Sequence, residues 1–208
     1  MPTVVTETPR PSPAEPPRKR WTRQECVALE TSGIWAQQHL ELIEGELISK
    51  MGKKRPHANA IAAVHAWLLR VFGEQYVNQE APIDVAPEDN PTNEPEPDLI
   101  VLAKLSREFK DNPQPADLRL VVEISDSTLG FDLTTKARLY ARARIVEYWV
   151  VDIPGRRIIV HRDPQGGQYR SVVAYSEQES VKPLASPGCE LPVGSAFGKR
   201  EPNKNRQP

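Results

Sequence analysis

Apolar and polar positions along residues 96–152 predict three strands that are separated by a loop and a helix. The strand-like runs are residues 99–102, 118–124 and 147–152. Runs that are apolar on both faces are typical of strands covered on both sides. A strand, a helix and a further strand in succession usually place the two strands parallel to each other. The pattern therefore predicts an α/β fold with helices that flank a central sheet.

Shorter runs predict two β-hairpins and one further strand. The first hairpin covers residues 41–49 and turns at Glu44-Gly45. The second covers residues 157–175, and Gly166-Gly167 turns the chain between its strands. Residues 79–85 predict the additional strand.

Two helices are predicted in the first half of the chain. Thr22 and Glu25 can form a capping box at the start of a short helix that ends near Glu30. A longer helix begins at His57 and ends at Phe72, because its apolar residues fall at helical spacing.

The helix between the last two strands of the 96–152 region carries a lysine at the edge of its apolar face. Asp132 can cap this helix. The apolar face consists of Leu133, Ala137, Tyr140 and Ala141. At about 100° per residue, Lys136 projects between Tyr140 and Ala143. An unpaired ammonium in that position is costly, so Lys136 needs an acidic partner.

Two acids stand where a buried strand ordinarily has apolar residues. Glu123 projects from one face of its strand, while Leu120, Val122 and Ile124 project from the other. Asp98 begins the preceding strand, after a proline that has no N–H to donate. Two carboxylates that meet repel each other unless a cation or a proton lies between them. Oxygen ligands favour Mg²⁺ or Mn²⁺ over zinc, so we expect these acids and Lys136 to form one site for a divalent ion.

Composition adds little to this interpretation. The formal net charge of −1 gives no overall attraction to nucleic acid. Cys26 and Cys189 lie far apart without metal-ligand spacing, which is typical of thiols in a reducing cytoplasm. No apolar run reaches the length of a membrane span, and residues 1–20 lack the apolar segment of a signal peptide. We therefore expect a cytoplasmic protein with no membrane partner.

Many of the 21 prolines lie near the ends of the chain, where the sequence cannot bury enough apolar surface to fold. We expect a disordered arm over residues 1–20 and a disordered tail over residues 198–208. The remaining residues, 21–197, are enough for one domain.

In order and spacing, the charged residues resemble the core of the PD-(D/E)xK nucleases, with the lysine displaced from the strand to the following helix. The core motif is Pro97-Asp98, Glu123-Ile124-Ser125 and Lys136. More narrowly, residues 22–197 resemble the Uma2 endonuclease family. The blocks that carry this resemblance are Glu41 to Leu47, His57, Glu96 to Leu99, Val122 to Thr128, Asp132 with Lys136 and Tyr140, and Glu147 to Asp152. The resemblance implies a restriction-endonuclease-like fold with a mixed central sheet.

The resemblance also implies a Mg²⁺-dependent endodeoxyribonuclease that hydrolyses phosphodiester bonds in DNA. Asp98 and Glu123 would hold Mg²⁺ or Mn²⁺ together with the backbone carbonyl of Ile124. Lys136 would orient the attacking water, and Tyr140 would brace the lysine. The resemblance is compatible with a homodimer, in which two sites could cut two strands.

Two supporting residues have roles that the sequence leaves open. By resemblance, Glu44 would bind the metal directly or through water, and Glu46 could take the same role. The sequence is equally compatible with an acid that is exposed in a turn and binds no metal. His57 stands at a helix start, which lowers the pKa of an imidazole and suits a neutral hydrogen-bonding role. The alternative, which the sequence favours, is a core histidine with its hydrogen bonds satisfied.

Lys53, Lys54 and Arg55 form a basic segment before His57 and are the best local candidates for contact with DNA phosphates. A solvated loop would have the same composition. Two other functions stay open. One is a catalytically silent, nuclease-like module that binds nucleic acid or protein. The other is a glycoside hydrolase with the two carboxylates as acid and base, which gives Lys136 no role.

Two positions depart from the usual pattern of the family. Arg144 stands where the family often has a glycine, so either the turn after the helix differs or Arg144 adopts a left-handed conformation at some cost. Asp126 stands where a small residue or proline is common, and its charge is a candidate ligand, cap or hindrance.

Overall fold

The structure is a computed structural model that describes residues 18–33, 39–50 and 54–198. Its helical elements are α1 (Arg23–Thr31), α2 (Arg55–Phe72), the short α3 (Leu129–Phe131), a π-helical turn (Asp132–Lys136) and α4 (Ala137–Arg142). Its strands are β1 (Leu40–Ile43), β2 (Glu46–Ser49), β3 (Val77–Gln79), β4 (Leu99–Leu102), β5 (Leu118–Ser125), β6 (Glu147–Asp152), β7 (Arg157–Gln165), β8 (Gln168–Ser176), β9 (Ser180–Val181) and β10 (Leu191–Pro192). Single 3₁₀ turns lie at Glu74–Tyr76, Asn90–Thr92, Ser106–Glu108, Pro115–Asp117 and Val193–Ala196.

Six strands form the central sheet in the order β3-β4-β5-β6-β7-β8. β5 and β6 are parallel and are joined through α3, the π-helical turn and α4, while the other neighbours in this sheet are antiparallel. The predicted mixed sheet and the predicted parallel pair are therefore confirmed. The two predicted hairpins are confirmed as β1–β2 and β7–β8.

Apolar side chains cover both faces of the sheet, as the unbroken apolar runs predict. One face packs against α2 through residues that include Leu68, Leu120, Val122, Ile124 and Trp149. The other face packs against α4 and the β1–β2 hairpin through residues that include Ile43, Val121, Tyr140, Tyr148 and Val150. The alternation along β5 is thus confirmed, and Glu123 lies on the α4 side.

The capping box of α1 is present, with Thr22 and Glu25 each bonded to the other's backbone N–H. The helix that leads to Lys136, however, does not begin at Asp132. It begins at Leu129, after Thr128, so Asp132 lies inside the helical segment and its side chain is buried. The predicted cap was wrong because the first turn starts three residues earlier.

The predicted strand over residues 79–85 is mostly wrong, since β3 ends at Gln79. The chain beyond it is extended, but its backbone bonds go to loops: Ile83 N–H donates to the carbonyl of Pro95, and Asp84 N–H to that of Pro113. The alternating apolar and polar residues therefore form no strand here, because loops supply the hydrogen-bond partners of the backbone.

Arg144 follows the end of α4 with a φ of 58°. The N–H of Ile145 donates to the carbonyl of Tyr140, and the N–H of Arg144 donates to that of Ala141. This pair of bonds is the Schellman arrangement that ordinarily places glycine at the left-handed position. The alternative in which Arg144 adopts the left-handed conformation is therefore the one observed.

Most of the predicted arm and tail, and Lys53, lie outside the described residues. Within the described ranges, no helix is long and apolar enough to cross a membrane.

Candidate functional site

A cleft of about 140 Å³ opens where the β1–β2 hairpin, the start of α2, the ends of β4 and β5, and the π-helical turn meet. Its ionisable lining residues are Glu41, Lys50, Lys54, His57, Glu80, Asp98, Glu123, Asp126, Asp132 and Lys136. The charged groups of the cleft therefore come from several separate segments of the chain. The three residues proposed as catalytic, Asp98, Glu123 and Lys136, all line it.

Lys136 lies between two carboxylates at the floor of the cleft. Its Nζ atom is 2.8 Å from Oε1 of Glu123 and 2.9 Å from Oε1 of Glu41. The side chains of all three residues are at most 5% exposed. The hydroxyl of Tyr140, one helical turn after Lys136, donates to the same Oε1 of Glu123 at 3.0 Å. Lys136 and Tyr140 thus fix one oxygen of Glu123 from the helix side.

Asp98 comes to the site because β4 runs antiparallel to β5. Leu99 pairs with Val122, which places Asp98 beside Glu123 and Ile124. Oδ2 of Asp98 accepts the backbone N–H of Ile124 at 2.7 Å. Burial and the nearby charge of Glu123 raise the pKa of Asp98 to about 7, although the N–H of Ile124 and the charges of Lys50 and Lys136 act in the opposite direction.

Asp132 is a fourth buried acid at this cleft, although its sequence context predicted a helix cap. One of its oxygens accepts from the hydroxyls of Ser125 at 2.8 Å and Thr128 at 2.7 Å. Burial, followed by the charge of Glu123, raises the pKa of Asp132 to about 6. Its position four residues before Lys136, on the same helical face, is the signal that could have placed it here.

The floor of the cleft therefore holds four buried carboxyl groups and one buried ammonium. Burial by itself would lower the pKa of Lys136, but the charges of Glu123, Glu41 and Asp132 raise it above its ordinary value. Burial, with the charge of Glu123, also raises the pKa of Tyr140 well above its usual range. Lys136 is thus charged and Tyr140 is neutral, and the carboxyl groups still outnumber the cation. A further cation would relieve this imbalance.

The oxygen atoms at the floor of the cleft are of the type that a hard divalent ion binds. Among residues 18–33, 39–50 and 54–198, no three His, Cys, Asp or Glu side chains form a ready metal cluster. The predicted ligands are the carboxylates of Asp98 and Glu123, the backbone carbonyl of Ile124, and Glu44 bound directly or through water. Asp98 and Glu123 both line the cleft. Ile124 lines the cleft with them. The residues present therefore fit Mg²⁺ or Mn²⁺, which keep several waters when they bind protein carboxylates.

Glu44 does not reach this site. Glu44 and Gly45 have φ angles of 50° and 73°, as a two-residue hairpin turn requires, and this turn carries the Glu44 side chain to the surface. Its carboxylate pairs there with Arg142. Glu46, the other acid considered, is also exposed and faces Arg20 at 3.8 Å.

Glu41 occupies the place that was expected for Glu44. It is 4% exposed, and its Oε2 accepts the N–H of Glu96 at 3.3 Å. Sequence reasoning missed Glu41, although strand alternation contains the signal. Glu41 and Ile43 share one face of β1, and Ile43 is packed in the core.

His57 lies in the first turns of α2 and lines the cleft. Its Nε2 atom is 3.7 Å from Oδ2 of Asp98, and its side chain is 15% exposed. His57 therefore lies beside Asp98 at the cleft, and its role there stays a prediction.

The basic segment before His57 is only partly described. Lys54 is exposed and lines the cleft, and Arg55 is exposed at the start of α2. Lys50 also lines the cleft, where its Nζ atom is 3.8 Å from a carboxylate oxygen of Glu96. Two cations, Lys50 and Lys54, therefore line the cleft together with the acids.

Comparisons with known proteins give one family and one fold. A family model described as "Uma2: Putative restriction endonuclease" matches residues 24–194. Among solved structures, the chain is similar to the "Crystal structure of a putative nuclease belonging to DUF820 from Anabaena variabilis ATCC 29413", with a TM-score of 0.59 and 16% sequence identity. That match covers 77% of this chain and 90% of the other. At this identity it shows a shared fold. A comparison with curated proteins found no significant match.

Proposed function

This chain belongs to the Uma2 family, and from that premise we propose that it is a metal-dependent endonuclease that hydrolyses phosphodiester bonds in DNA. The observation that carries the proposal is the meeting of Asp98, Glu123 and Lys136 in one cleft. These residues are far apart in the sequence, and their two carboxyl groups exceed their one ammonium, so that a further cation or a proton must balance the charge. A purely structural ion pair gives no reason for this excess of carboxyl groups.

Asp98, Glu123 and the carbonyl of Ile124 would hold Mg²⁺ or Mn²⁺, with Glu41 near enough to bind through water. The ion would supply Lewis-acid polarisation of a phosphate oxygen and a lowered pKa for its water. Hard oxygen donors of this kind are the ones that Mg²⁺ prefers. We assign the metal role to Glu41 in place of Glu44, because Glu41 lies at the floor of the cleft.

Lys136 would orient the attacking water and stabilise the negative charge that develops on the phosphate. Its two carboxylate partners hold the ammonium in one position, so little reorganisation is needed when the substrate arrives. Tyr140 limits the rotation of Glu123 through its hydrogen bond. His57, which lies beside Asp98, would donate to a phosphate oxygen or to a water in the cleft.

Lys54 and Arg55 would contact phosphates outside the cleft. Such contacts position the backbone and carry no sequence information by themselves. They also make binding sensitive to salt, since each contact releases a counterion.

The direct test is incubation of the full chain with supercoiled plasmid and with circular single-stranded DNA, each with Mg²⁺, with Mn²⁺ or with EDTA. We expect cleavage of circular DNA with either metal and none with EDTA. Lys136→Ala should abolish it, while Lys104→Ala, a change to an exposed lysine that pairs with Asp117, should not. Both circular substrates left intact under both metals, at high enzyme concentration, would overturn the proposal.

A further inference from the structure

The cleft carries apolar side chains for which phosphodiester hydrolysis has no use. Phe131, at the end of α3, and Ile48, on β2, line the cleft together with the charged residues. Both are only partly buried, and each lies at the margin of the core on the α4 side. An aromatic ring and an aliphatic side chain next to the catalytic groups suit the apolar face of a nucleobase.

The depth of the charged groups restricts how a phosphate can reach them. Asp98, Glu123 and Lys136 are between 3% and 5% exposed. A scissile phosphate must therefore enter the cleft. An unpaired strand can bend and carry its phosphate and the adjoining base inward together. Paired bases remain stacked in the duplex and are not available to the cleft unless they are unpaired at a cost of a few kcal/mol.

The distribution of cations points in the same direction. The formal net charge is −1, and several arginines of the described residues are engaged by acids of the chain itself. These are Arg23, Arg142, Arg156, Arg157 and Arg162. Duplex binding depends largely on many phosphate contacts, whereas proteins that bind single strands also gain affinity from stacking on aromatic side chains. The pairing of these five arginines with acids of the chain leaves fewer cations for duplex phosphates and gives stacking more weight in binding.

We propose that Phe131 stacks against an unpaired base next to the scissile phosphate. The substrate class is then DNA with unpaired nucleotides, such as single strands and flaps, in preference to fully paired duplex. This inference rests on the proposed nuclease function and names the substrate of the same site. Phe131 would act as a specificity-determining residue, while Lys54 holds a phosphate at the opening of the cleft.

The experiment compares cleavage of one single-stranded oligonucleotide, the same sequence as a duplex, and the single strand with abasic positions around the cleavage site. Phe131→Leu keeps an apolar side chain and so preserves packing, whereas Phe131→Trp keeps an aromatic ring. Phe109→Leu is the matched control, because Phe109 is also partly exposed but contacts Lys104 and does not line the cleft.

We expect the wild type to cleave the single strand at least about tenfold faster than the duplex. Phe131→Leu should lower kcat/KM on the single strand by about tenfold, mainly through KM, since stacking of one base contributes about that factor. Phe131→Trp and Phe109→Leu should behave as the wild type. On the abasic strand, Phe131→Leu and the wild type should be equal.

A second readout does not depend on cleavage. A single strand that contains 2-aminopurine should lose fluorescence on binding to the wild type in EDTA and keep it with Phe131→Leu. Equal cleavage of duplex and single strand, or a Phe131→Leu variant with unchanged cleavage and quenching, would overturn the inference. If the wild type cleaves no DNA, the nuclease proposal fails, and the fluorescence comparison still decides whether Phe131 stacks on a base.

Discussion

The ammonium of Lys136 and the carboxylate of Glu123 form an ion pair of 2.8 Å in which both side chains are almost fully buried. The pair joins the helical segment to the end of the β5 strand that precedes it. Because a second carboxylate, that of Glu41, lies 2.9 Å from the same nitrogen, Lys136 neutralises only part of the charge around it. We therefore expect the same amine to matter both for the stability of the cleft and for the proposed chemistry.

Lys136→Met should abolish cleavage and lower the free energy of unfolding by about 3–5 kcal/mol, because it leaves buried carboxylates without their cation. Mg²⁺ should restore part of this loss by taking the place of the ammonium between the acids. Urea unfolding with and without Mg²⁺ measures both effects. Lys182→Met, at an exposed ion pair with Glu190, is the control and should change stability by less than about 0.5 kcal/mol. Unchanged stability of Lys136→Met would contradict the buried pair.

Glu41→Gln and Glu44→Gln form a matched test of which acid of the hairpin serves the site. Glu41→Gln should weaken Mn²⁺ binding, measured by calorimetry, and lower kcat/KM by about 10–100-fold, as is typical when a group that supports a metal ligand is changed. Glu44→Gln should leave both within about twofold, because its carboxylate pairs with Arg142 at the surface. The reverse order of effects would restore Glu44 as the functional acid.

Asp98→Asn should stabilise the protein at high pH in the absence of divalent ions. The pKa of Asp98 is raised from 3.8 to about 7, so the folded state holds this proton more tightly than the unfolded state does. The stability that the protonated carboxyl contributes is present below pH 4 and is lost as the pH rises to about 7. At pH 8 the variant should gain about 2–4 kcal/mol over the wild type, and at pH 4 the two should be nearly equal.

Denaturant unfolding in EDTA at both pH values checks this difference. The same substitution should remove Mn²⁺ binding in calorimetry, since the amide that replaces the Asp98 carboxylate lacks the negative charge of a ligand. A variant that is less stable than the wild type at pH 8, or one that keeps its Mn²⁺ affinity, would contradict the environment assigned to Asp98.

Tyr140→Phe should lower the free energy of unfolding by about 1–2 kcal/mol, because Glu123 loses one of its two side-chain donors. We expect kcat to fall by about tenfold with little change in KM, since the ring remains and only the orientation of Glu123 is released. Tyr148→Phe loses a buried hydrogen bond to the carbonyl of Asp132 and is the comparison. It should cost similar stability with a smaller loss of kcat; equal losses of kcat in both would argue against a positioning role for Tyr140.

Arg144→Gly should raise the free energy of unfolding by about 0.5–1 kcal/mol. Glycine removes the penalty that a Cβ atom imposes on the left-handed conformation of residue 144. This gain is reduced because glycine loses more chain entropy than arginine on folding. Arg138→Gly, in the regular helix of α4, should lower it by about 1 kcal/mol. Thermal unfolding of the two variants gives the comparison, and a loss of stability with Arg144→Gly would show that its side chain contributes more than the strain costs.

Much of the candidate site could be predicted from charged residues that stand at apolar positions of a strand or a helix. Glu123 in an apolar strand and Lys136 on an apolar helical face each need a partner, and the strand–helix–strand order brings them together. The alternation along β5 also indicated the side of the sheet on which Glu123 lies. The departure from the family pattern at Arg144 left two alternatives, and the left-handed conformation is the one observed.

The errors have a common cause, which is that short segments depend on contacts that are remote in sequence. Glu41 was overlooked because the packing of the hairpin against the core decides which face of the four-residue strand β1 is buried. Asp132 was assigned a capping role because capping and a buried hydrogen-bonded position both favour a short carboxylate. The extended chain after β3 alternates like a strand, but loops supply its hydrogen-bond partners.

The cleft takes its side chains from a hairpin, two adjacent strands and two helical segments that lie between residues 41 and 136. No short fragment of the chain contains all of them, so a ligand of this cleft has no counterpart site on the unfolded polypeptide. Such a ligand stabilises by mass action alone, by about 2.7 kcal/mol when its concentration is 100 times its dissociation constant. The melting temperature should consequently rise with the logarithm of ligand concentration, which offers a screen for ligands before any reaction has been observed.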